Sequence, residues 1–584
     1  MLDGAVKRTV RSDGVDLAVV EAGPARRPTV VFIHGYPDTK ELWTEVFKRL
    51  VSRYHLVAYD VRGAGESSRP RRSSAYDLKR LGDDLEAVIA ATSPDRPVHL
   101  VGHDWGAIQG WEFATQERFR GKLRSFTAVA GPSLDQVAHS GRALLSRPTP
   151  SRVRELVRGM RRSWYVLALC TPGVPTLAWR GVLGRERWRW LLENLERIGT
   201  DGDYPAPTLP ADGIHGSKLY RRNIPRRMLR PRSAALAHVP VQLVIPARDH
   251  FISPRYYERA ADDAPVLKQR LVGSTHWVPL REPDLLARWT GELVDESERR
   301  VEPKSQVPWR VGGGLEQLEG RLALVTGTAS GIGRATAAAL AGHGARVLAV
   351  DRDSAALARA AQEFGAAGAF TCDVSDERAM ERLCDQVLSR YGVPDVVVNN
   401  AGIGFGGSFL DTSARDWRRV LGVNVMGVVH GCRLFGRAMV DRGAGGQIVN
   451  LASAAAFQPS KDLPAYSASK AAVLMISECL RAELAPYGIG VTAVCPGFVN
   501  TNITRTAHYA GRDEAGQQRV AERVTRSYER RNFTAERVAQ EIVAAIGCDE
   551  PIAVVTPEAR VMQALARFAP RLRRRIAALD TLPV

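Results

Sequence analysis

In the first half of this 584-residue chain an acid, a second acid and a histidine occur in a chemically useful order. Asp104 stands in VHLVGHDWGAIQGWEF between a strand-like and a helix-like run, flanked by Gly102 and Gly106, which is the pattern of a sharp nucleophile elbow. Small neighbours let the crowded backbone pass while the side chain projects above the strand ends. Serine at such an elbow suits acyl transfer. A carboxylate instead displaces a leaving oxygen or halide at a saturated carbon and forms an alkyl-enzyme ester. Hydrolysing that ester requires a histidine to activate water and a second acid to hold the imidazole. Asp249 after VQLVIPAR and His276 in VGSTHWVPLREPD supply them in order. HGYP at 34–37 follows the apolar run VVFI, so the backbone N–H of Tyr36, with that of Trp105, is predicted to face a developing oxyanion. Taken singly, Asp104 reads as a helix cap and His276 as a core histidine. Together with Asp249 they read as a site.

The second half carries a different set. Ser453 lies in IVNLAS, Tyr466 thirteen residues on, and Lys470 four beyond that in YSASK, a spacing that puts Tyr466 and Lys470 on one helical face. Reducing a carbonyl needs a proton donor. A free tyrosine has a pKa of about 10, so a neighbouring ammonium is needed to bring its phenolate within reach of neutral pH. Ser453 would hold the substrate oxygen, Lys470 the nicotinamide ribose, and Asn424 in GVNVMG would complete a proton relay through water. Upstream, LALVTGTASGIGRATAAAL places Gly327, Ser330, Gly331, Ile332 and Gly333 after a strand and into a helix, where backbone can approach a pyrophosphate. Asp351 ends the next strand, ARVLAVD, where an acid accepts from ribose hydroxyls and repels a 2′-phosphate. NAD is the cofactor expected, and Arg352 beside Asp351 leaves NADP open.

Both sets need scaffolds of alternating strands and helices. The runs TVVFIHG, YHLVAYD, VHLVGHD and VQLVIPARD read as buried strands of a mostly parallel sheet. The same grammar restarts with LALVTG, ARVLAVD, DVVVNNAG, GQIVNLAS and GVTAVCPG, spaced by alanine-rich helical stretches. Between SFTAVAG and VQLVIP, the aromatic and arginine-rich segment 132–238 shows no β pattern and predicts an inserted helical cap. The polar stretch 296–317, with its break near Gly312 to Gly314, predicts a linker between domains at 1–295 and 318–558. A basic segment remains at 559–584. In it Val561, Leu565, Phe568, Leu572 and Ile576 fall near one helical face, and Pro570 should break the helix. Such a segment suits peripheral contact with an anionic membrane, or packing on the second domain or a subunit interface.

A composition of 45% hydrophobic and 25% charged residues argues for folded globular domains rather than disorder. No apolar run long enough for a membrane span or secretory signal is found, so a cytoplasmic location is expected. The net charge of +18 attracts anionic surfaces, but no nucleic-acid-binding signature surrounds the arginines, and no nucleic-acid partner is expected. Seven cysteines without paired spacing argue for reduced thiols, and no metal site is expected.

HGYPD, DVRGAGES at 60–67, GHDWG and THWVPLREP together resemble the epoxide hydrolase branch of the α/β-hydrolases, over about residues 12–295. The resemblance implies an α/β-hydrolase fold, hydrolysis of an epoxide to a diol, and two cap tyrosines that hydrogen-bond the epoxide oxygen. Their counterparts are Tyr165, before the PG pair in YVLALCTPGVP, and Tyr220 in YRRN. Phenol donors would stabilise the alkoxide that forms as the ring opens. Thr275 stands where relatives often carry glycine. A dehalogenase uses the same acid, histidine and helper acid and is the rival, with donors such as a Trp and an Asn for halide.

NNAG at 399–402, CDVSD at 372–376 and PGFVNT at 496–501, with the Ser-Tyr-Lys set, resemble the short-chain dehydrogenase/reductase family over about residues 318–558. That likeness implies a Rossmann-type doubly wound parallel sheet and homo-oligomerisation through this domain. It implies that Asp373 and Val374 flank the adenine, that Asn400, Ala401 and Gly402 line the cofactor, and that Pro496, Gly497 and Thr501 meet the nicotinamide end. The order of the two halves is similar to fused epoxide hydrolase and short-chain dehydrogenase proteins of actinobacteria, implying a bifunctional α/β enzyme acting on lipophilic small molecules. The alternative reading is an active dehydrogenase beside a dehalogenase-like or vestigial hydrolase half.

Overall fold

The computed structural model describes residues 4–146, 149, 154, 163–199, 204–232, 235–299 and 307–577, and divides into two compact units, Met1–Val307 and Pro308–Val584. In the first, eight strands form one sheet in the order β1-β2-β4-β3-β5-β6-β7-β8. They are β1 (Val6–Ser12), β2 (Val15–Ala22), β3 (Thr29–Ile33), β4 (His55–Tyr59), β5 (Val98–His103), β6 (Leu123–Val129), β7 (Val241–Pro246) and β8 (Leu267–Val272). From β4 to β8 all neighbours are parallel, and β3, β4 and β5 are buried along their whole length because helices cover both faces. Alternate residues of β3 supply the two layers: Phe32 packs with Trp43, Phe47 and Trp289, while Val31 and Ile33 face Leu81, Leu85 and Trp111. Each such buried side chain contributes about 1.5–3 kcal/mol.

In this unit two features depart from the expected strands. The first is an antiparallel hairpin of β1 and β2, whose turn is Asp13–Gly14 with both φ angles positive (49° and 74°), the geometry for which Asp-Gly is favoured. The second is β8, hidden in the sequence by Lys268 and Arg270. The helix Pro283–Glu298 answers both charges, pairing Glu296 with Lys268 and Glu292 with Arg270, so the cations are buried as ion pairs.

Between β6 and β7 the described residues hold helices and no strand; the longest are Leu134–Ser146, Arg185–Asn194 and Leu209–Leu229.

The second unit holds a seven-stranded parallel sheet in the order β11-β10-β9-β12-β14-β15-β17. Its strands are β9 (Leu322–Thr326), β10 (Arg346–Asp351), β11 (Gly368–Thr371), β12 (Val396–Asn399), β14 (Gly446–Leu451), β15 (Ile489–Cys495) and β17 (Ile552–Val554), with β13 (Phe405–Gly406) and β16 (His508–Tyr509) forming a separate parallel pair. The order reverses between β9 and β12, and the carboxyl ends of the strands on either side of that switch are where a doubly wound sheet opens a ligand crevice.

The expected linker is corrected at both ends. The helix Pro283–Glu298 runs past residue 295, and residues 308–317 belong to the second unit. Trp309 is 2% exposed and its backbone N–H donates to the Ala444 carbonyl at 2.8 Å, while Gly314 N–H donates to Gly547 at 2.9 Å. A tryptophan in a Gly- and Pro-rich run reads as a spacer until its core is seen. Residues 300–306 of that linker, and 578–584 of the basic segment, lie outside the described residues.

Pro570 does interrupt the C-terminal helix. Helices span Pro557–Phe568 and Pro570–Ile576, with Ala569 in a non-helical conformation between them. The single apolar face expected there is split: Met562 and Ala566 pack on the core of the second unit, whereas Phe568 is 76% exposed. Among the described residues no helix is long and apolar enough to cross a membrane.

Candidate active sites

In the first unit Asp104 sits at the junction of β5 and the helix Trp105–Ala114 with φ 48° and ψ −114°, a strained conformation of the kind stored at functional turns. A Cβ on Gly106 would lie 2.0 Å from the Ile33 carbonyl oxygen, so only glycine allows this close approach. The Tyr36 N–H donates to Asp104 Oδ2 at 2.9 Å, and the Trp105 N–H also serves the carboxylate. Both residues expected as oxyanion donors therefore face it. Asp104 Oδ1 lies 3.9 Å from His276 Nε2, and His276 Nδ1 is 2.8 Å from Asp249 Oδ2. Asp249 Oδ1 accepts from the N–H groups of Phe251 and Ile252 at 2.7 and 2.9 Å, which fixes the carboxylate against the ring.

Burial raises the Asp104 pKa, opposed by His276 and the two N–H donors. Burial works to lower that of His276, yet Asp249, then Asp104 and Glu196, hold it up at about 9. Tyr220 is buried between the Tyr36 and Trp105 rings, with centroids 5.3 and 5.0 Å away. Tyr165 is half-buried with its ring edge-on to Phe251 at 5.6 Å. Burial pushes both phenols up, and the Asp104 charge adds to the effect in each, so they stay protonated and able to donate.

Four groups around this set went unassigned from sequence. His103 lies under His276, its Nε2 3.0 Å from the His276 carbonyl. Asp38 is pushed up by burial to about 6, opposed by the Tyr204 hydroxyl at 2.6 Å and the Trp277 indole at 3.0 Å. Glu196, from the cap, reaches the backbone of His276. Asp38 and His103 sit inside HGYPD and GHDWG, so motif position flagged them without assigning a role. Tyr204 and Glu196 carry no local signal, because chain far from β5 and β7 brings them in.

In the second unit a cavity of about 1040 Å³ brings Ser453, Tyr466 and Lys470 together with Gly327, Ser330, Gly331, Ile332, Asp351, Arg352, Asp373, Val374, Asn400, Ala401, Gly402, Pro496, Gly497 and Thr501. Gly333 does not line it. A Cβ there would meet the Gly327 carbonyl at 2.1 Å, so this glycine lets the helix Gly331–Gly342 pack under the loop. Gly327 has φ 74°, and Asn400 braces its loop by donating to the Thr326 carbonyl at 2.8 Å. Asp351 Oδ2 accepts from Ala329 N–H at 2.9 Å, which ties the end of β10 to the same loop. An open glycine loop at a helix N-terminus, with an acid at the next strand end, fits the pyrophosphate and ribose of a dinucleotide.

Lys470 Nζ donates to the Leu451 carbonyl at 2.7 Å and lies 5.8 Å from the centre of the Tyr466 ring. Burial brings its pKa down to about 8. Burial raises that of Tyr466, and the group opposing this is the Ser453 hydroxyl, where the spacing had pointed to the ammonium. Asn424 is fully engaged, accepting from Ile403 N–H at 2.8 Å and donating to Ile403 O and Ser469 Oγ, each at 3.1 Å. A Cβ on Gly402 would stand 3.3 Å from Asn424 Oδ1 and 3.5 Å from Lys470 Nζ, so glycine keeps the space between them open.

The C-terminal helices contribute to this cavity through Val561, Met562, Leu565 and Ile576. Glu558 accepts from Phe498 N–H at 3.0 Å, and Arg573 donates to the Phe457 carbonyl at 3.2 Å, so the segment bridges the loops after β14 and β15.

Comparison with known proteins follows this division. Residues 28–283 match the alpha/beta hydrolase fold and residues 321–510 match short chain dehydrogenase. "Probable oxidoreductase EphD" of Mycobacterium tuberculosis is 38% identical over 581 residues, covering 98% of each chain. "Galactitol 2-dehydrogenase (L-tagatose-forming)" of Cereibacter sphaeroides is 43% identical over 192 residues, covering 32% of this chain and 75% of its own. A short-chain dehydrogenase/reductase of Burkholderia phymatum, solved in complex with NAD, is 32% identical with a TM-score of 0.41, covering 46% of this chain and 99% of that one. With a full-length relative at this identity, the chain belongs to the family of fused α/β-hydrolase and short-chain dehydrogenase proteins, and is an NAD(P)-dependent oxidoreductase joined to a hydrolase-fold domain.

Proposed function

We propose that the chain is bifunctional: the first unit hydrolyses an epoxide to a vicinal diol, and the second interconverts a carbinol and a ketone, both on lipophilic substrates. The observation that carries the first half is a carboxylate on the elbow, with one oxygen held by backbone donors and buried phenols close by. Asp104 Oδ1 attacks an epoxide carbon, the ring C–O bond breaks, and Tyr165 or Tyr220 gives the alkoxide its proton. Water then attacks the Asp104 carboxyl carbon while His276 accepts a water proton, and Tyr36 and Trp105 N–H groups hold the oxyanion. Collapse breaks the Cγ–Oδ1 bond, His276 returns its proton to the leaving diol oxygen, and the second water proton restores the phenol. Esterified Asp104 has lost its charge, which removes one of the groups holding the His276 pKa up, at the stage when the imidazole must be neutral.

In the second unit Gly327, Ser330, Gly331, Ile332, Asp351, Asp373, Val374, Asn400, Ala401, Gly402, Lys470, Pro496, Gly497 and Thr501 would hold NAD(P), which when bound exchanges hydride with the substrate carbon. Ser453 holds the substrate oxygen and Tyr466 moves the proton on it. Lys470 supports the tyrosine charge, and Asn424 with Lys470 frames the space left by Gly402. Asp351 favours NAD, while Arg352 lines the same cavity where a 2′-phosphate would lie. The apolar side chains of the C-terminal helices support a lipophilic substrate. Exposed Phe568 and Leu572 among arginines support peripheral contact with an anionic membrane, and family likeness supports a homo-oligomer.

Lipid epoxides and carbinols should be screened with the wild type, Asp104→Ala and Tyr466→Phe. Diol formation lost only in the first variant, and NAD(P)H turnover only in the second, would support the reading. Asp104→Ala with full diol formation would exclude it, and preferential turnover of haloalkanes would favour the dehalogenase alternative.

A further inference from the structure

We infer that Glu196 is a positioning residue for His276, a cap-borne carboxylate that ties the histidine loop to the cap and sets a fixed negative charge beside the imidazole. The inference rests on the hydrolase reading. Glu196 follows the helix Arg185–Asn194 and is 3% exposed, pinned between Leu192 and Ile198, both buried in the core. Its Oε2 accepts from the His276 N–H at 3.3 Å and its Oε1 is 2.9 Å from His250 Nδ1. Its own carbonyl accepts from Arg281 Nη1 at 2.8 Å and from the Thr275 hydroxyl at 3.3 Å. Thr275, the residue standing where relatives often carry glycine, thus gives the loop an extra attachment to the cap. Three contacts from one residue fix the segment Thr275–Arg281 on which the catalytic imidazole is mounted, and a fourth reaches His250.

A buried carboxylate is costly unless charge or donors answer it. Here a backbone N–H and one half-exposed imidazole do so, since the Arg281 contact goes to the carbonyl. Its charge is therefore available to His276. The groups facing that ring are Asp249 and Phe251 from the loop after β7, Asp104 from the elbow, Trp277 beside it and His103 beneath, with Asp38 near His103 and Glu196 from the cap on the His276 backbone N–H. When Asp104 is esterified, Asp249 and Glu196 remain as negative neighbours raising the ring pKa, with Asp38 behind His103 also coupled to the ring. Glu196 thus acts on the step in which water loses its proton to His276.

The test is made on the full chain with Glu196→Gln and Glu196→Asp. Titration of the His276 ring by NMR, assigned by difference from His276→Asn, needs no substrate. Glu196→Gln keeps shape and an acceptor but removes the charge, so the His276 midpoint should fall, by less than removal of the Asp249 charge would lower it. Glu196→Asp, which keeps the charge, should hold it near the wild-type value. The rising limb of ester hydrolysis should move to lower pH in Glu196→Gln, with a lower alkaline plateau from the weaker base. An unmoved midpoint in Glu196→Gln, or equal shifts in both variants, would overturn the inference. Asp104→Ala that still forms diol would overturn the hydrolase reading instead, and the ring titration would still decide what Glu196 does.

Discussion

Around His276 the first unit gathers Asp249, Asp104 and Glu196, and the imidazole is held up at about 9 in spite of burial. Around Lys470 the second unit places a carbonyl, a thiol and a phenol, and burial alone brings the ammonium down to about 8. The contrast follows from where each chemistry keeps its reactive group. A hydrolase that forms an ester with its own side chain must stabilise changing charge inside the protein, so fixed carboxylates and N–H donors crowd the site. A dehydrogenase receives its hydride carrier as a ligand, so the protein leaves an open cavity and keeps few charges of its own near the proton donor. One fold class with strand ends as its stage supports both because the reacting groups stand on the loops and helices that follow the strands.

The sharpest way to break this comparison is crossed inactivation. Asp104→Ala should lower diol formation, and Tyr466→Phe hydride transfer, each by about 10³-fold or more, with the other reaction near wild type. Loss of both reactions from either change would show that the sites are not independent. Next in size, Tyr220→Phe and Tyr165→Phe should each cost about 10²-fold in the single-turnover rate of ring opening, as expected when one donor to a developing oxyanion is removed. Rapid-quench measurement that finds neither variant slower would transfer the donor role elsewhere. Asp351→Ala should then raise the NADP to NAD ratio of kcat/KM by about tenfold, a difference of about 1.4 kcal/mol. An unchanged ratio would leave Arg352 to set the preference.

The smallest expected effect is a difference in pH slope. His276 must be neutral to accept a proton from water, and with its pKa raised to about 9 it loses its charge only as pH climbs through that value. Esterification of Asp104 removes one of the charges behind that value, so ester hydrolysis should rise with pH through a midpoint below about 9. Lys470, lowered to about 8, loses its charge as pH climbs through that value, so carbonyl reduction should be falling there. Parallel profiles measured on one preparation would sharpen the comparison if the slopes oppose, and break it if they coincide.

Much of this was legible in the sequence, because the chemistry and its local geometry are encoded over short distances. An acid between two glycines after an apolar run makes an elbow, and Tyr466 with Lys470 four residues on must share a helical face whatever surrounds them. The strands β3, β4, β5 and β9 are buried throughout and mostly apolar, as a parallel sheet covered on both faces favours. The Asp13–Gly14 hairpin was equally local and could have been read from its turn chemistry.

What tertiary structure alone decided has a common cause: partners distant in sequence that change what a residue means. Lys268 and Arg270 become strand residues only because a later helix brings Glu296 and Glu292 to them. Trp309 becomes core only once Ala444 binds its backbone. Val561 and Leu565 become cavity wall because the chain breaks at Ala569 and folds back over the loops after β14 and β15. Glu196 meets the histidine loop across a gap of some eighty residues, through a cap whose path no local pattern records. Sequence thus determined which groups could react. Long-range packing determined the charges and walls they react among, because burial and Coulomb energies depend on distance in space rather than along the chain.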